Sequence, residues 1–197
     1  MRARIPAKTQ IVANLGDFSR TQAEELKAAG ADGAYHVWRL GEGCDTQFPA
    51  SQRLNTIENI KAAGLDLYYC CEPIGPEHTP AQMAEIIMKG LDYECFQHGA
   101  MRRVPLPSSP LAKYGQISES RLAQITAVVT LVALHSPEIT TVGVHEPNKL
   151  GLMAGANAIY AETGANPRDT EKETSSNRGL DIEACKQMYI ECGFDIA

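Results

Sequence analysis

Gln10-Ile-Val-Ala-Asn-Leu15, then Ser19-Arg-Thr-Gln22 opening a polar stretch that ends at Gly30, then Gly33-Ala-Tyr-His-Val37: this run decides the fold. Its first and last pieces are short apolar runs of the kind that form buried strands. Between them, Ser19 followed three residues later by Gln22 is a capping box, in which each side chain covers an orphan N–H of the other. Gly30 supplies the stop. The unit is therefore strand, helix, strand, and it recurs along the chain. Ser51 to Ala63 sets Leu54, Ile57 and Ile60 on one helical stripe, stops at Gly64 and leads into an apolar strand, Leu65 to Cys70. Thr79-Pro-Ala-Gln82 is a second capping box with Pro at the first helical position, after which Met83, Ile86 and Ile87 face inward and Gly90 closes the helix. A strand over Met101 to Val104 precedes a helix from Ser118 to His135, which buries Leu122, Ile125, Val129 and Val132 and is stopped by Pro137. Thr140 to Val144 and Ala158 to Tyr160 supply the last strands, and Asp181 caps a final helix ending at Gly193.

Regular alternation of strand and helix implies an α/β protein with a parallel sheet. Roughly six βα units fill the chain, whereas a complete eight-unit barrel typically takes about 250 residues. The expected architecture is a partial (β/α) TIM-type barrel forming one domain over residues 1–197. In such folds ligands sit at the C-terminal ends of the strands. Three polar clusters follow predicted strands there: His36-Val-Trp-Arg39-Leu-Gly-Glu42, Cys71-Glu72-Pro-Ile-Gly-Pro-Glu77-His78 and His145-Glu146-Pro-Asn148.

Composition narrows the function classes. With 24 acidic against 18 basic residues and a net charge of -6, the chain carries no basic stripe for nucleic acid. Its longest apolar run, Ile125 to Leu134, is broken by Thr126 and Thr130 and falls well short of the roughly 18 residues of a membrane span. Met1-Arg-Ala-Arg-Ile has charge without a following apolar core, so no signal peptide is read and a cytoplasmic location with reduced thiols is expected. Cys44, Cys70, Cys71, Cys95, Cys185 and Cys192 contain no C-x2-C or C-x3-C pair, so they spell neither a zinc knuckle nor a cluster loop.

Leu152-Met-Ala-Gly-Ala-Asn157-Ala-Ile-Tyr160 resembles a segment of biotin synthase and its relatives among the radical S-adenosylmethionine enzymes. Further pieces resemble the same family in the same order: Leu15-Gly16, Ala29-Gly30-Ala31-Asp32, Arg53-Leu54-Asn55-Thr56-Ile57, Gly75-Pro76-Glu77, and the proline-rich loop Val104-Pro-Leu-Pro-Ser-Ser-Pro110-Leu-Ala. The resemblance spans nearly the whole chain, with the biotin synthase-like C-terminal region at about residues 100–197. It implies a barrel that uses a 4Fe-4S cluster and S-adenosylmethionine to generate a 5′-deoxyadenosyl radical. The family's C-x3-C-x2-C cluster loop has no counterpart here. By segment order Gln10 to Leu15 stands at the family's third strand, so the first two strands and the cluster ligands are expected outside this chain, on an N-terminal segment or a second chain. The resemblance also puts the 2Fe-2S ligands of biotin synthase near Val12, Tyr68 and Gly143, none of which is the required cysteine or arginine. A register slip to Cys70 or Cys71 restores one ligand, not three. This argues for a branch that does not insert sulfur.

Within that resemblance, Arg39 and Glu42 would reach the carboxylate and amine of the methionine moiety, as guanidinium and carboxylate chemistry suits. Arg53 is a second candidate for the carboxylate, Glu72 for ligand contact, and Ile74 and Gly75 for adenine. The bland readings stand beside these: an i,i+3 surface ion pair, an exposed helix arginine, and a proline–glycine turn. His145 and Glu146 are candidates for proton transfer, and since neighbours on a strand point to opposite faces, at most one of them should face the lumen. Asn157 is a candidate near substrate, His78 reads as an ordinary loop histidine, and Cys44 as an incidental thiol. Glu162 to Asp169 reads as a lid and Lys172 to Arg178 as a polar mobile stretch. The resulting reading is part of a radical S-adenosylmethionine enzyme acting on a small metabolite or cofactor precursor. The alternatives are a cluster-less ligand-binding partner or remnant, and a conventional acid–base barrel lyase built on Glu72 and His145.

Overall fold

The computed structural model describes residues 2–161 and 180–196; the expected lid at Glu162 to Asp169 and the polar stretch to Arg178 lie outside them. Strands β1 (Val12–Ala13), β2 (Gly33–Tyr35), β3 (Asp66–Tyr68), β4 (Cys71–Ile74), β5 (Gln97–Arg102) and β6 (Thr141–Val144) form one sheet, and every pairing in it is parallel. Helices α1 (Arg20–Ala28), α2 (Ala50–Ala62), α3 (Pro80–Asp92), α4 (Glu119–Ala133), α5 (Lys149–Met153) and α6 (Ile182–Glu191) alternate with the strands. β3 and β4 both pair with β5 and act as one barrel strand with an irregularity at Tyr69-Cys70. The order is then β1, β2, β3/β4, β5, β6, closed on the last side by a single parallel bridge from Gly143 to Ala158. Sequential order with parallel pairing is the wall of a (β/α) barrel.

The capping boxes form as spaced. Ser19 and Gln22 exchange side-chain hydrogen bonds with each other's backbone, Thr79 and Gln82 do the same, and Asp181 accepts from Ala184 N at 2.8 Å. One apolar core, including Ile57, Ile60, Leu67, Ile86, Leu122 and Val129, fills the space between sheet and helices.

Three expectations need correction. The fifth strand begins at Gln97 instead of Met101, because Gln97-His98-Gly99 carries the sheet hydrogen bonds despite its polarity. His98 is buried beneath α3 with Nε2 3.0 Å from the Ile87 carbonyl, which removes the cost of its ring. Gly90 does not close α3, which continues to Asp92. A Cβ at Gly90 would lie 2.4 Å from His98 Nε2, so the glycine marks the close approach of helix and strand. Finally, Ala158 to Tyr160 pairs only at Ala158.

Candidate functional site

The strands' C-terminal ends open onto a cavity of about 600 Å³ lined by groups from all six strands or the loops that follow them. Tyr68 and Glu72 line the cavity, while Cys71 turns away, its Sγ 4.0 Å from the Met83 carbonyl on α3.

Glu72 is 1% exposed and carries two partners. Tyr35 Oη, at the end of β2, donates to Glu72 Oε2 at 2.6 Å, and Arg39 Nη2 lies 2.9 Å from Oε1. Burial and the nearby Glu72 charge hold the Tyr35 phenol protonated, well above its ordinary range. The same carboxylate raises Arg39. Arg39 remains half-exposed, so part of its guanidinium faces the cavity.

Across the cavity, Arg102 at the end of β5 pairs with Glu146, which also accepts from Gln116 Nε2 at 3.2 Å. Arg102 Nη1 donates to the Ile117 carbonyl at 3.0 Å. Burial pushes the Glu146 carboxyl up, against the pull of Arg102. The expectation that only one of His145 and Glu146 faces the lumen fails, since both line the cavity. β6 ends at Val144, Glu146 adopts φ 57°, and Asn148 Nδ2 holds the Glu146 carbonyl at 2.8 Å, so strand alternation no longer applies. His145 stacks on Tyr160 at 4.1 Å between centroids and meets Tyr35 edge-on at 6.2 Å.

Arg53 and Glu42 belong to a second, neighbouring cluster. Arg53 Nη1 is 2.7 Å from Asp17 Oδ2 and its Nε 3.1 Å from Glu42 Oε2, whose side chain is fully buried. Asp17 Oδ1 lies 3.1 Å from His36 Nε2. A shallower hollow of about 410 Å³ links the two clusters through Tyr35, Arg39, His36 and Arg53. Burial lowers His36 to about 4, although Asp17 pulls the other way. A histidine held neutral in the fold binds its proton first in the unfolded chain, near 6.5, so the unfolded state carries more protons between about 4 and 6.5. Stability is therefore expected to be intact above this window and to fall with pH through it, by up to about 3 kcal/mol from His36. Imidazole NMR should show His36 still neutral at pH 5, and protonation above pH 6 would refute the argument.

The remaining candidates do not join the cavity. Ile74 is buried, and Gly75 sits where Arg103 and Glu77 form a bidentate pair, which holds the Glu77 carboxyl below its usual range. His78 Nδ1 accepts from Gly75 N at 2.9 Å, an ordinary turn contact. Asn157 is not near the strand ends: Oδ1 accepts from Val142 N at 2.8 Å and Nδ2 donates to the Thr140 carbonyl at 3.1 Å, at the opposite end of β6. Sequence reasoning missed Tyr35, Tyr68, Tyr160, Arg102 and Asp17. Only the residue types at strand ends could have signalled them.

The positions near which the resemblance sets the biotin synthase 2Fe-2S ligands are informative. Val12 and Tyr68 do line the cavity. A Cβ at Gly143 would lie 2.2 Å from Tyr160 Oη, so the tyrosine fills the space where an arginine side chain would start. Among the described residues no three His, Cys, Asp or Glu side chains converge to hold a metal ion. Burial raises Cys70 and pushes Cys71 and Cys95 up to about 12, the reverse of what a thiolate ligand needs. Cys70, Cys71 and Cys95 therefore do not fit an iron–sulfur cluster.

No protein-family profile matches the chain. Its sequence is similar to biotin synthase of Streptomyces avermitilis, 22% identical over 92% of this chain and 49% of that protein. The chain thus spans about half the length of this curated relative. Its fold is similar to methylornithine synthase, with a TM-score of 0.69 and 16% identity over 95% of this chain and 59% of that one. It is also similar to HMG-CoA lyase from Brucella melitensis, with a TM-score of 0.59 and 15% identity over 98% of this chain and 69% of that one. By sequence the chain is similar to biotin synthase, and its fold is a partial TIM-type barrel like that of methylornithine synthase.

Proposed function

We propose that this chain is the substrate-side part of a radical S-adenosylmethionine enzyme acting on a small polar metabolite or cofactor precursor, and that the 4Fe-4S ligands come from a cluster-bearing N-terminal segment or second chain. One observation carries the reading: in a fold shared with methylornithine synthase, a cavity at the strand ends collects Arg39, Glu72, Arg102, His145 and Glu146. Guanidinium and carboxylate groups at opposite walls suit a zwitterionic ligand. Arg39 would take the methionine carboxylate with its cavity-facing N–H groups, and Arg53, locked between Asp17 and Glu42, would hold the neighbouring loop in place rather than bind directly. Arg102 and Glu146 would orient substrate polar groups, and His145, stacked on Tyr160, would move a proton there. The absence of cysteine at Val12 and Tyr68 and of arginine at Gly143 supports chemistry other than sulfur insertion.

Calorimetry with S-adenosylmethionine tests the reading on the chain itself. Saturable binding is expected, weakened about tenfold or more in Arg39→Ala, in keeping with the loss of one charge-assisted contact worth about 1.5–3 kcal/mol. No binding at millimolar ligand would overturn it. Binding without turnover once a cluster-bearing segment is supplied would favour the ligand-binding alternative instead.

A further inference from the structure

Three groups of the cavity wall form one hydrogen-bonded line. The Tyr35 phenol donates to Glu72 at 2.6 Å, and Arg39 holds the other oxygen of that carboxylate at 2.9 Å. Both Tyr35 and Glu72 border the cavity, while Glu72 is otherwise shut from solvent. A phenol is hard to oxidise by electron loss alone, because the cation radical left behind is strongly acidic. A base already hydrogen-bonded to the phenol removes that obstacle, since the proton moves along the existing bond as the electron leaves. Glu72 is such a base, and its other oxygen is held by Arg39.

We infer that Tyr35 is a redox-active residue that gives one electron to an organic radical of the bound substrate while its hydroxyl proton passes to Glu72. The inference rests on the radical reading proposed above for the same cavity. The Tyr35 O–H bond breaks, its electron converts the substrate radical to a closed-shell anion, and Glu72 becomes a carboxylic acid. Glu72 then protonates that anion, so a new bond to hydrogen forms on substrate and the carboxylate is regenerated. A neutral phenoxyl remains on Tyr35, and an external thiol restores it by giving up one hydrogen atom, two such thiols pairing as a disulfide.

The test replaces the substrate radical by photogenerated ruthenium(III) tris-bipyridine, on the whole chain without iron or S-adenosylmethionine. Its failure is thereby separable from failure of the S-adenosylmethionine binding test. Electron paramagnetic resonance should show a neutral phenoxyl whose long-lived fraction drops about tenfold in Tyr35→Phe, the residual signal coming from exposed tyrosines such as Tyr114. Glu72→Gln should slow formation about tenfold. In the unaltered chain, which needs no substitution at a buried site, formation should slow about twofold in heavy water, because the hydroxyl proton moves as the electron leaves. An unchanged signal in Tyr35→Phe, or a rate indifferent to both Glu72→Gln and heavy water, would overturn the proposal.

Discussion

Arg53→Met is expected to destabilise the fold by about 3–5 kcal/mol, the usual cost of removing one partner from a buried ion pair. The guanidinium is 14% exposed and spans two carboxylates, Asp17 at 2.7 Å and Glu42 at 3.1 Å, with the Glu42 side chain out of contact with solvent. Methionine keeps the stem's packing but leaves Glu42 charged with only the Thr46 hydroxyl, which donates at 2.6 Å. Asp17 retains His36 and the Thr56 hydroxyl at 3.1 Å, so the larger share of the loss falls on Glu42. Arg53→Lys should be intermediate, since a single ammonium cannot present two separated N–H donors in one plane. Combining Arg53→Met with Glu42→Leu should recover much of the loss, because it removes the stranded charge together with its partner. Urea unfolding of the four proteins measures this. A midpoint for Arg53→Met within the scatter of the unaltered chain would show that the cluster is solvated and contributes nothing.

How much of this was legible beforehand follows from what each signal encodes. The capping boxes at Ser19 and Thr79 are local chemistry, complete within four residues, and both formed. The helical stripe Leu54, Ile57, Ile60 encodes a face, and Ile57 and Ile60 are fully buried, with Leu54 packed against the core. The polarity of Gln97 and His98 hides the start of β5; Gln97 faces the cavity and His98 meets the Ile87 carbonyl on α3, neither of which is local information. Asn157 illustrates the same limit in reverse. Its segment resembles a functional motif, yet its amide closes hydrogen bonds at the far end of β6. The site charges were visible as residue types but not as pairs: Arg39 and Glu72 are joined only once β2 lies beside the composite strand β3/β4, and Tyr35 gave no signal except its place at a strand end. The clusters after β2, β4 and β6 did meet at one end of the sheet, because parallel connectivity sends every strand's C-terminus the same way.

That connectivity also leaves two edges, and the second large effect is expected there. β1 pairs with β2, and among the described residues no strand lies on its other side. Val12 is 38% exposed and Leu15 66%, both apolar residues beside that edge. On the other side of the sheet, Ala158 N donates to the Val142 carbonyl at 3.1 Å and the Ala158 carbonyl accepts from Val144 N at 3.1 Å, with no further described strand beyond it. In a closed barrel further strands would join these two edges, and Val12 lines the cavity there. Parallel strands are built for burial on both faces, and an open edge offers unpaired N–H and C=O groups to any other strand. The 197-residue chain on its own is therefore expected to self-associate or aggregate and to melt broadly. Supplying two further parallel βα units, as a fusion ahead of Arg2 or as a second chain, should give a monomeric or one-to-one species that unfolds cooperatively. Each kcal/mol gained by closing the wall would raise the midpoint by about 2–4 °C for a chain of this size. Light scattering after size-exclusion chromatography, with thermal melts of both forms, decides the matter: a sharply melting monomer that gains nothing from the added units would mean that β1 and Ala158 are not edges awaiting strands, and that the cavity is complete as it stands.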